Sequence, residues 1–451
     1  MTLLYRRCAG MDVHKKSISV CIRIRTARDQ YQTETAVFRT FTHDLERMAE
    51  WLKHHQVRQI AMESTGVYWK PVWNVLESSR WKFSMVLVNP QQVRALPGKK
   101  TDREDSERIA RYLQEGLLRS SFVPPQPTRD LRELTRRRTH LEGDRNRVIN
   151  RIGRLLETAN IKLGSVLSNI VGKSGRAILD AIASGETKPE SLADQIVGRV
   201  KCTREEFVLA LEGRYTDHFR WLLRQLLQEL TALDRRVMEV DLRIGRLTAE
   251  HTNLIARLCT LPGVDLITAY TVIAEIGTDM SQFPDAKHLA SWAGLCPGNS
   301  ESAGKRFSGR TRKGDRYLRR MLVQNAWAVA HMKDCALTAL FLRVAAHQGM
   351  KKAAMAVAHR ILMLAYYIIH DGSQYREQGG DVYDRRDPER TAKRLTRRLQ
   401  RIGFEVTLKP RSRLSNPEPF PGQTCTRCNR WGIPCIHAKP RLAPPPKNPS
   451  T

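Results

Sequence analysis

The sequence predicts an α/β domain built on a mixed sheet, followed by a long helical hairpin and a mainly helical C-terminal domain. Three observations carry this prediction. Residues 1–125 alternate between strand and helix signals, and residues 126–257 hold two long heptad patterns. Residues 258–375 contain small-residue and apolar helical stretches. Residues 376–451 form a charged tail with proline-rich loops, and the 451-residue chain is expected to divide into these four parts.

The first part is predicted to contain five strands. CAGMDV and SISVCIRI flank a short polar turn at residues 14–16, which favours a hairpin, and TAVFRTF is a third strand. RQIAME and KFSMVLV are two further strands, and helices are expected from His43 and from Asp102. Hairpin strands followed by strand–helix alternation are typical of a mixed sheet covered by helices.

Four carboxylates occupy related places in this sheet. Asp12 lies on the first strand, and Glu63 ends the central strand, where sites in such sheets gather. Asp102 and Asp105 share one helix face because they are three residues apart. Mg²⁺ or Mn²⁺ takes oxygen ligands, and two such ions can clamp the attacking and leaving oxygens of a phosphodiester. The arrangement resembles the RNase H or RuvC-like nuclease fold, although each acid alone could be a surface acid or helix cap.

The balance of charge predicts a polyanionic partner. Lysine and arginine total 76 against 46 acids, which gives a formal net charge of +30. Neutralising phosphates releases counterions and drives most nucleic-acid affinity, although a merely soluble basic protein has the same composition. The first ten residues lack the apolar core of a secretory signal, so we expect a cytoplasmic, nucleoid-associated bacterial protein. Arg360 interrupts the most apolar stretch, which predicts a buried helix and no membrane span.

Residues 126–257 carry a predicted coiled-coil hairpin. The first helix has a heptad pattern through Leu131, Leu134, Leu141, Val148, Ile152 and Leu155. The second comprises Phe219, Leu223, Leu226, Leu230, Leu233, Val237, Val240, Ile244, Leu247, Leu254 and Leu258. Its length of about 40 residues corresponds to roughly 60 Å.

This apolar seam needs a cover, from the first helix or from another subunit, so a homo-oligomer (dimer or tetramer) is predicted. His251 interrupts the stripe and is expected at the edge of the core. The outer face carries Arg136, Arg137, Arg147 and Arg154, which could be solvated or could follow a phosphate backbone.

A Leu-Pro-Gly-Val turn at residues 261–264 precedes a helix of small residues. This pattern predicts a helix-hairpin-helix-like element, whose backbone N–H groups would point at a phosphate. An ordinary helical corner ended by Gly263 accounts for the same residues equally well.

The ordered motifs MDVHKK, AMESTG, KTDREDSERIA, LPGV, AGLCPGNSESAGK and RKGDRYLRRML resemble the transposases of the insertion sequence 110 family, also called DEDD transposases. The resemblance extends from residue 8 to residue 372. It implies a RuvC-like domain, a coiled-coil connection and a C-terminal transposase domain. The family acids fall on Asp12, Glu63, Asp102 and Asp105. Ser106 stands where the family usually has alanine, and Ser300 replaces a common asparagine.

The resemblance also implies a covalent serine nucleophile, which falls on Ser302 in SESAGK. The surroundings suit that role, because positive charge offsets a pentavalent phosphorus centre and small residues let a backbone approach. Ser300 and Ser308 are alternatives, and the loop could grip phosphate without any nucleophile. Basic residues follow closely, at Lys305, Arg306, Arg310, Arg312 and Lys313.

The tail carries a predicted zinc site. Cys425, Cys428, Cys435 and His437 have C-x₂-C-x₆-C-x-H spacing, which suits a small tetrahedral Zn²⁺ knuckle. A tail with incidental thiols is the alternative, because the final step from cysteine to histidine is short. Trp431 could stack on a base or cover the site.

Together these features predict a transposase or recombinase that cleaves and rejoins the DNA of an insertion sequence. The family implies that an element-encoded guide RNA selects the DNA ends and targets, and that different protomers contribute acids and serine. A RuvC-like, structure-specific endonuclease that hydrolyses junction DNA with water is one alternative. A non-catalytic nucleic-acid-binding scaffold is another.

Overall fold

The computed structural model describes residues 4–26, 30–63, 66–90, 102–298, 300–302, 305–308, 311 and 313–409. For residues 102–104, 300–302 and 305–308 the description covers the backbone alone. The predicted zinc ligands Cys425, Cys428, Cys435 and His437 lie outside the described residues, as do Arg310 and Arg312. The chain divides into two compact units, Met1–Val123 and Pro124–Thr451.

The first unit is built on a five-stranded mixed sheet, as the sequence predicts. The strands are β1 (Arg7–Val13), β2 (Ser17–Arg25), β3 (Tyr31–Arg39), β4 (Gln59–Glu63) and β5 (Ser84–Val88). Their spatial order is β3-β2-β1-β4-β5. The first three strands pair antiparallel, while β4 runs parallel to β1 and β5 parallel to β4. This topology is consistent with the expected RuvC-like α/β fold.

Helices cover both faces of the sheet, and the alternation of side chains along each strand decides which residues face which helix. The helices are α1 (Thr42–His54), α2 (Trp69–Leu76) and α3 (Asp102–Gln114). Met11 and Met62 belong to the larger core with Leu45 of α1 and Leu76 of α2. On the opposite face a smaller core joins Cys8 of β1 and Ala61 of β4 to Ile109 and Leu113 of α3.

Two long helices dominate the start of the second unit. They are α4 (Gln126–Thr158) and α9 (Asp217–Leu247), with four short helices between them: α5 (Leu163–Val166), α6 (Lys173–Ser184), α7 (Pro189–Ala193) and α8 (Arg204–Leu211). The heptad residues Val148 and Ile152 of α4 share one core with Leu223 and Leu230 of α9. The first helix therefore covers the apolar seam of the second within one chain.

The second heptad helix is shorter than the sequence predicts. It ends at Leu247, a 3₁₀ turn follows at Ala249–His251, and a separate helix, α10, spans Thr252–Leu258. The break coincides with the buried residue Thr248, whose hydroxyl donates a hydrogen bond of 2.9 Å back to the carbonyl oxygen of Ile244. An apolar repeat can continue through such a break because each helix still presents its stripe to a core.

The rest of the second unit is mainly helical. It contains α11 (Leu266–Ile276), α12 (Ala286–Trp292), the strands β6 (Ser300–Ser302) and β7 (Lys305–Ser308), α13 (Arg316–Val329), α14 (Ala336–Gln348), α15 (Met350–Asp371), α16 (Val382–Arg385) and α17 (Pro388–Arg401). Helix α15 is the apolar stretch expected to be buried. By length and composition it could span a membrane, but it packs against α12, α13 and α14. Its residues Val357, Ile361 and Leu362 are fully buried.

Candidate active site

The candidate acidic site begins with the close crossing of α3 over β1. A Cβ atom on Gly10 would lie 2.2 Å from the carbonyl oxygen of Ser106 and 2.3 Å from the backbone nitrogen of Ala110. Only a residue without a side chain permits this approach. Ser106, which stands at the position of a usual alanine, is fully buried at the crossing. The crossing fixes the start of α3 directly above the strand that carries Asp12.

A buried thiol completes the packing at this crossing. Cys8 donates a hydrogen bond of 3.3 Å from its Sγ to the carbonyl oxygen of Ala110. Burial raises the pKa of Cys8 to about 12, and nearby Arg23 opposes that shift. The thiol is therefore neutral at physiological pH and serves packing, not nucleophilic chemistry.

Asp12 and Glu63 stand side by side at the ends of two parallel strands. The register pairs Met11 of β1 with Met62 of β4, so the next residue of each strand is an acid. Asp12 lies four residues after Cys8 on β1, and Glu63 lies two residues after Ala61 on β4. Each acid therefore shares a strand face with a residue that packs against α3. Asp12 is 7% exposed, and Glu63 is half-buried. The carboxyl ends of parallel strands are where sites in α/β sheets form.

His14 is a residue of this site that the sequence analysis did not assign. Its Nε2 lies 3.0 Å from Oδ2 of Asp12, and about half of its side chain is exposed. The signal was available in MDVHKK, because residues two apart on an extended chain lie on the same side. Its position at the rim makes it a second functional candidate beside Asp12.

Helix α3 brings Asp105 to the same face of the sheet. Asp105 precedes Ser106, the residue that contacts Gly10, and its carboxylate is ion-paired with Arg108 one turn later. Asp102 begins the helix one turn earlier, and its side chain lies outside the described residues. The fold therefore brings Asp12 and Glu63 together, and places the start of α3, with Asp105, over the same face.

The far end of α3 is anchored to the sheet by a buried amide. Gln114 is fully buried and accepts a hydrogen bond of 2.7 Å from Nε of Arg23 on β2. Its own amide nitrogen donates to the carbonyl oxygen of Tyr5 at 3.1 Å. A buried amide with both ends bonded resists sliding of the helix, because any shift would leave polar groups unsatisfied. The anchor fixes where Asp105 stands along the strands.

The donor chemistry of this site fits a hard divalent cation. Carboxylate oxygens are the ligands that Mg²⁺ prefers, and a sheet edge with acids from two strands and one helix supplies them from several directions. Among the residues described, no three His, Cys, Asp or Glu side chains already surround a common point. Asp105 is turned towards Arg108, so metal binding would require that ion pair to rearrange.

Ser302 lies on a two-stranded hairpin in the second unit. Strands β6 and β7 pair antiparallel, with Ser302 opposite Lys305 and Ser300 opposite Ser308. Ser302 is therefore the last paired residue before the turn, whereas Ser300 and Ser308 lie at the open end. The described backbone does not include the turn itself, residues 303 and 304. The predicted nucleophile thus lies at the turn end of the hairpin, and its two alternatives lie at the opposite end.

A buried charge cluster holds the segment that follows the hairpin. Asp315 starts α13 and accepts hydrogen bonds from the backbone nitrogens of Tyr317 and Leu318, at 2.9 Å and 2.8 Å. Its other oxygen lies 3.1 Å from a guanidinium nitrogen of Arg136 on α4. Arg136 also makes two bonds of 2.8 Å to the carboxylate of Glu275 on α11. One arginine thus joins three helices at the exit of the hairpin.

Glu275 is the centre of this charge cluster and is 0% exposed. Arg132 contributes a second guanidinium, whose Nε lies 3.0 Å from Oε2 of Glu275. Burial raises the pKa of Glu275, and the two guanidinium groups oppose that shift. The expected outer arginine face is therefore wrong for Arg136, which turns inward to meet a buried carboxylate. Heptad spacing identified the helix but could not reveal this distant partner.

A second close approach fixes the entry to α13. A Cβ atom on Gly314 would lie 2.3 Å from the carbonyl carbon of Ala293 and from the backbone nitrogen of Gly294. The chain leaving the hairpin therefore runs directly against the residues that end α12. Together with the Arg136 bond to Asp315, this contact fixes the segment between the hairpin and α13.

The Leu-Pro-Gly-Val turn connects α10 to α11, which agrees both with the predicted helix-hairpin-helix-like element and with an ordinary helical corner. Gly263 has a φ of 76°, a left-handed conformation that glycine adopts without strain. Asp265 caps the following helix, and its Oδ1 accepts hydrogen bonds from the backbone nitrogen and hydroxyl of Thr268. The carboxylate of Asp265 thus already accepts a hydrogen bond from one of the backbone N–H groups that were predicted to point at a phosphate.

Comparison with known proteins relates two separate segments of the chain to one group. A model described as a transposase, of the DEDD type of IS110, matches residues 9–161. A second model, described as the transposase IS116/IS110/IS902 family, matches residues 255–340. The matched ranges include Asp12, Glu63, Asp102 and Asp105 in the first and Ser302 in the second.

Individual relatives agree with this assignment. The insertion element IS110 uncharacterized 43.6 kDa protein of Streptomyces coelicolor is 25% identical, with 62% of this chain and 74% of that protein aligned. A probable family 20 transposase of Pseudomonas aeruginosa is 26% identical, over 62% and 75%. The pilin gene-inverting protein of Moraxella bovis is 24% identical, over 65% and 73%. Among solved structures, RuvC of T. thermophilus bound to a Holliday junction matches 26% of this chain and 99% of its own, with 12% identity and a TM-score of 0.20.

Proposed function

The chain belongs to the IS110 family of transposases, and we propose that it cleaves and rejoins the DNA of a mobile element through an acidic metal site and a serine nucleophile. The observation that carries the proposal is the register of β1 and β4. It sets Asp12 beside Glu63 at one sheet edge, under the helix that bears Asp105. Two acids of a predicted set of four, far apart in sequence, thus become neighbours at the place where such sheets hold their sites.

In this proposal Asp12, Glu63, Asp102 and Asp105 hold Mg²⁺ or Mn²⁺. A bound divalent ion would act as a Lewis acid that polarises the scissile phosphate and stabilises charge on the oxygens that attack and leave. The chain's own contribution is position. Gly10 lets α3 descend onto the sheet, and Gln114 anchors its far end, so that the carboxylates approach one edge from different directions.

Ser302 is proposed as the nucleophile. Its Oγ loses its proton and attacks phosphorus, a new Oγ–P bond forms, and the P–O bond to the leaving strand breaks. The released oxygen of that strand takes up a proton and becomes a hydroxyl. The phosphoserine link keeps the phosphate in a diester, so a DNA hydroxyl can later reverse the exchange without an external energy source. Its place as the last paired residue of β6 supports this role, because the turn end of a hairpin can approach a phosphate of the DNA backbone. Lys305 stands opposite Ser302 and supplies positive charge.

The proposed partners are DNA, comprising element ends and target, and an element-encoded guide RNA. The net charge of +30 supports a polyanion partner. We also propose a homo-oligomer, dimer or tetramer, formed through the coiled-coil hairpin. On α9 the large side chains of Trp221, Met238 and Leu242 are 54%, 57% and 58% exposed, although the seam beside them is buried against α4. Light scattering tests this point, because a monomer at micromolar concentration would contradict it.

The domain roles follow the four predicted parts. Residues 1–125 form the RuvC-like domain, 126–257 the helical connection, 258–375 the transposase domain with its helix-hairpin-helix-like turn, and 376–451 the basic tail. The tail is proposed to hold Zn²⁺ through Cys425, Cys428, Cys435 and His437, as a structural knuckle. Metal analysis of the protein and of Cys428→Ser checks this site, and protein free of zinc after purification without chelators would reject it. We place the enzyme in the bacterial cytoplasm, with the nucleoid.

A RuvC-like endonuclease is the second candidate. The same acidic edge, with water as the nucleophile, would hydrolyse junction DNA and leave no covalent link to protein. The position of Asp12 and Glu63 supports both candidates equally, so the fate of Ser302 distinguishes them.

The deciding experiment combines protein, Mg²⁺, candidate RNA and labelled element-end DNA, and looks for a protease-sensitive protein–DNA adduct. We expect the adduct with the unaltered protein and none with Ser302→Ala. The matched variants Ser300→Ala and Ser308→Ala, at the open end of the same hairpin, should keep it. Cleavage without any adduct would support the hydrolase, and binding without cleavage would support the scaffold.

A further inference from the structure

Helix α17 (Pro388–Arg401) lies beyond residue 340, where the second matched family model ends. Asp387 caps it by accepting a hydrogen bond of 3.0 Å from the backbone nitrogen of Arg390, and Pro388 occupies the first turn. None of its residues is buried. The local sequence thus specifies a helix strongly, although the described residues offer it little core.

The charges of α17 lie on one side. Its basic side chains fall within an arc of about 140° at 3.6 residues per turn. On the opposite side lie Leu395 and Leu399, with Ile402 just beyond the helix, and these side chains are 48%, 40% and 65% exposed. The basic face comprises Arg390, Lys393, Arg394, Arg397, Arg398 and Arg401. We use the name basic face for these six residues.

The basic face is unfavourable in the isolated chain. Like charges four residues apart on a helix repel, and the basic face contains four such pairs. They are Arg390 with Arg394, Lys393 with Arg397, Arg394 with Arg398, and Arg397 with Arg401. Two acids offset this repulsion in part: Asp384 contacts Arg394 at 2.9 Å, and Glu389 lies four residues before Lys393 on the same helix. A polyanion laid along the helix would convert each repulsion into an attraction.

We propose that the basic face of α17 docks on the phosphate backbone of duplex DNA, with the helix in the major groove. The dimensions agree, because a helix about 10–12 Å wide fits a groove about 12 Å wide. A-form RNA has a deep and narrow major groove that excludes such a helix. The choice of DNA as the polyanion rests on the proposed function, but the basic face includes neither the four proposed acids nor Ser302.

An anionic lipid surface is the competing occupant, since a basic amphipathic helix can also lie on a membrane. The side of α17 opposite the basic face disfavours it. Within the helix that side carries two leucines and one alanine, Ala392, and no tryptophan or phenylalanine. Ile402 and Phe404 follow the end of the helix, so its own length offers little apolar surface to the headgroup region. Binding to DNA phosphates requires only basic side chains, and α17 carries six of them.

The test uses the full chain and the triple variant R397Q/R398Q/R401Q. Glutamine keeps the helix propensity of these exposed positions, and circular dichroism verifies that helix content is unchanged. Binding of a labelled DNA duplex is followed by fluorescence anisotropy from low to moderate salt. Each lost phosphate contact should reduce the slope of log K against log salt by about 0.9, so the triple variant should lose about 2.7. Its affinity near physiological salt should fall at least about tenfold.

Two matched variants separate the basic face from overall charge. R199Q/K201Q/R204Q removes three exposed charges from the segment before and at the start of α8, and should keep the slope of the unaltered protein. R397K/R398K/R401K keeps every charge on the basic face and should retain most of the binding. Equal slopes for the two glutamine variants would overturn the proposal, because net charge alone would then explain the effect.

Two further probes test the occupant. Double-stranded RNA of the same length should bind without dependence on the basic face, and a loss in R397Q/R398Q/R401Q equal to that seen with DNA would refute major-groove docking. Vesicles containing phosphatidylserine should not bind in a manner that needs the basic face, and such binding would assign the helix to lipid. The adduct assay reads the proposed function separately. If the unaltered protein forms the adduct and the triple variant binds duplex DNA normally, only this inference is rejected. If the triple variant loses duplex binding and the unaltered protein forms no adduct, only the serine chemistry is rejected.

Discussion

Two buried acids, Asp12 in the first unit and Glu275 in the second, have opposite surroundings. Asp12 is 7% exposed at the open end of parallel strands, with another acid beside it in register and a half-exposed histidine at 3.0 Å. Glu275 is 0% exposed and faces the guanidinium groups of Arg132 and Arg136. Asp12 lies at a position where a bound cation could contact its carboxylate, whereas the carboxylate of Glu275 is already paired with two guanidinium groups.

The two acids differ in whether cationic side chains of the protein compensate their charge. A buried carboxylate without compensation costs several kcal/mol, so it persists only when a partner or a bound ion compensates it. Glu275 uses its partners to join α4, α11 and the start of α13. Asp12 sits beside Glu63 under α3, so like charges accumulate at one edge and favour an external cation. Two buried carboxylates thus differ in the charges that surround them, and this difference supports different proposed roles.

The largest expected effect comes from Glu275→Ala. This change leaves Arg132 and Arg136 buried without their carboxylate, which should lower the free energy of unfolding by about 3–5 kcal/mol. Urea denaturation followed by circular dichroism measures it. Arg136→Ala should produce a similar loss, and a double-mutant cycle should show strong coupling between the two positions. A change below about 1 kcal/mol would mean that Glu275 is not the structural centre proposed above.

Asp12→Asn should lower DNA cleavage by more than about 100-fold, because loss of a metal ligand exceeds the 10–100-fold typical of outer partners. Its free energy of unfolding should fall much less than in Glu275→Ala, because removing one carboxylate charge relieves the repulsion between the neighbouring acids Asp12 and Glu63.

The matched control for Asp12→Asn is Asp44→Asn. Asp44 is an equally buried acid of α1 that pairs with Arg39 at 3.0 Å and Arg47 at 3.7 Å. That variant should lose stability and keep cleavage. If both variants affected cleavage equally, Asp12 would not be a special acid, and the contrast with Glu275 would fail.

Gly10→Ala tests how closely α3 must approach the sheet. The added Cβ would meet backbone atoms of Ser106 and Ala110, neither of which can rotate away. We expect a loss of about 1–3 kcal/mol in unfolding free energy, as in other overpacked cores. Cleavage should fall further than stability explains, because a shifted α3 moves Asp105. Unfolding curves and cleavage rates on one preparation check both, and unchanged cleavage would show that the position of α3 is not critical.

Gly245→Ala provides the smallest effect and the opposite sign. Gly245 lies within α9, and a Cβ there would meet nothing within 4 Å. Alanine should therefore stabilise the helix by about 0.5–1 kcal/mol through lower backbone entropy in the unfolded chain. Thermal unfolding should show a small increase in midpoint. A decrease would indicate that the outer face of α9 contacts another subunit at this position.

Much of the fold followed from sequence periodicity. Strand patterns located all five strands of the sheet, and the position of Glu63 at a strand end was predicted directly. The heptads located α4 and α9 and most residues of their shared core. Leu156 and not Leu155 is fully buried, and the predicted stripe residue Leu247 is 40% exposed. Periodicity succeeds because it records which face of an element is apolar, which is a local property.

The sequence alone did not predict the partners across long separations. Arg136 was assigned to an outer face because its spacing said nothing of Glu275, 139 residues later. The end of α9 at Leu247 was missed because the apolar stripe continues beyond it. His14 is a different case, because its two-residue spacing from Asp12 was visible in the sequence and the structure adds the 3.0 Å contact.

The sequence by itself determined the class of elements and the basic character of the chain, and it supplied the four acids proposed for a metal site. Tertiary structure decided which acids become neighbours, which arginines are already neutralised and how closely α3 lies on β1. The physical reason is that burial patterns are encoded residue by residue. Charge compensation and close backbone approach instead depend on atoms from distant segments, which meet only when the chain has folded.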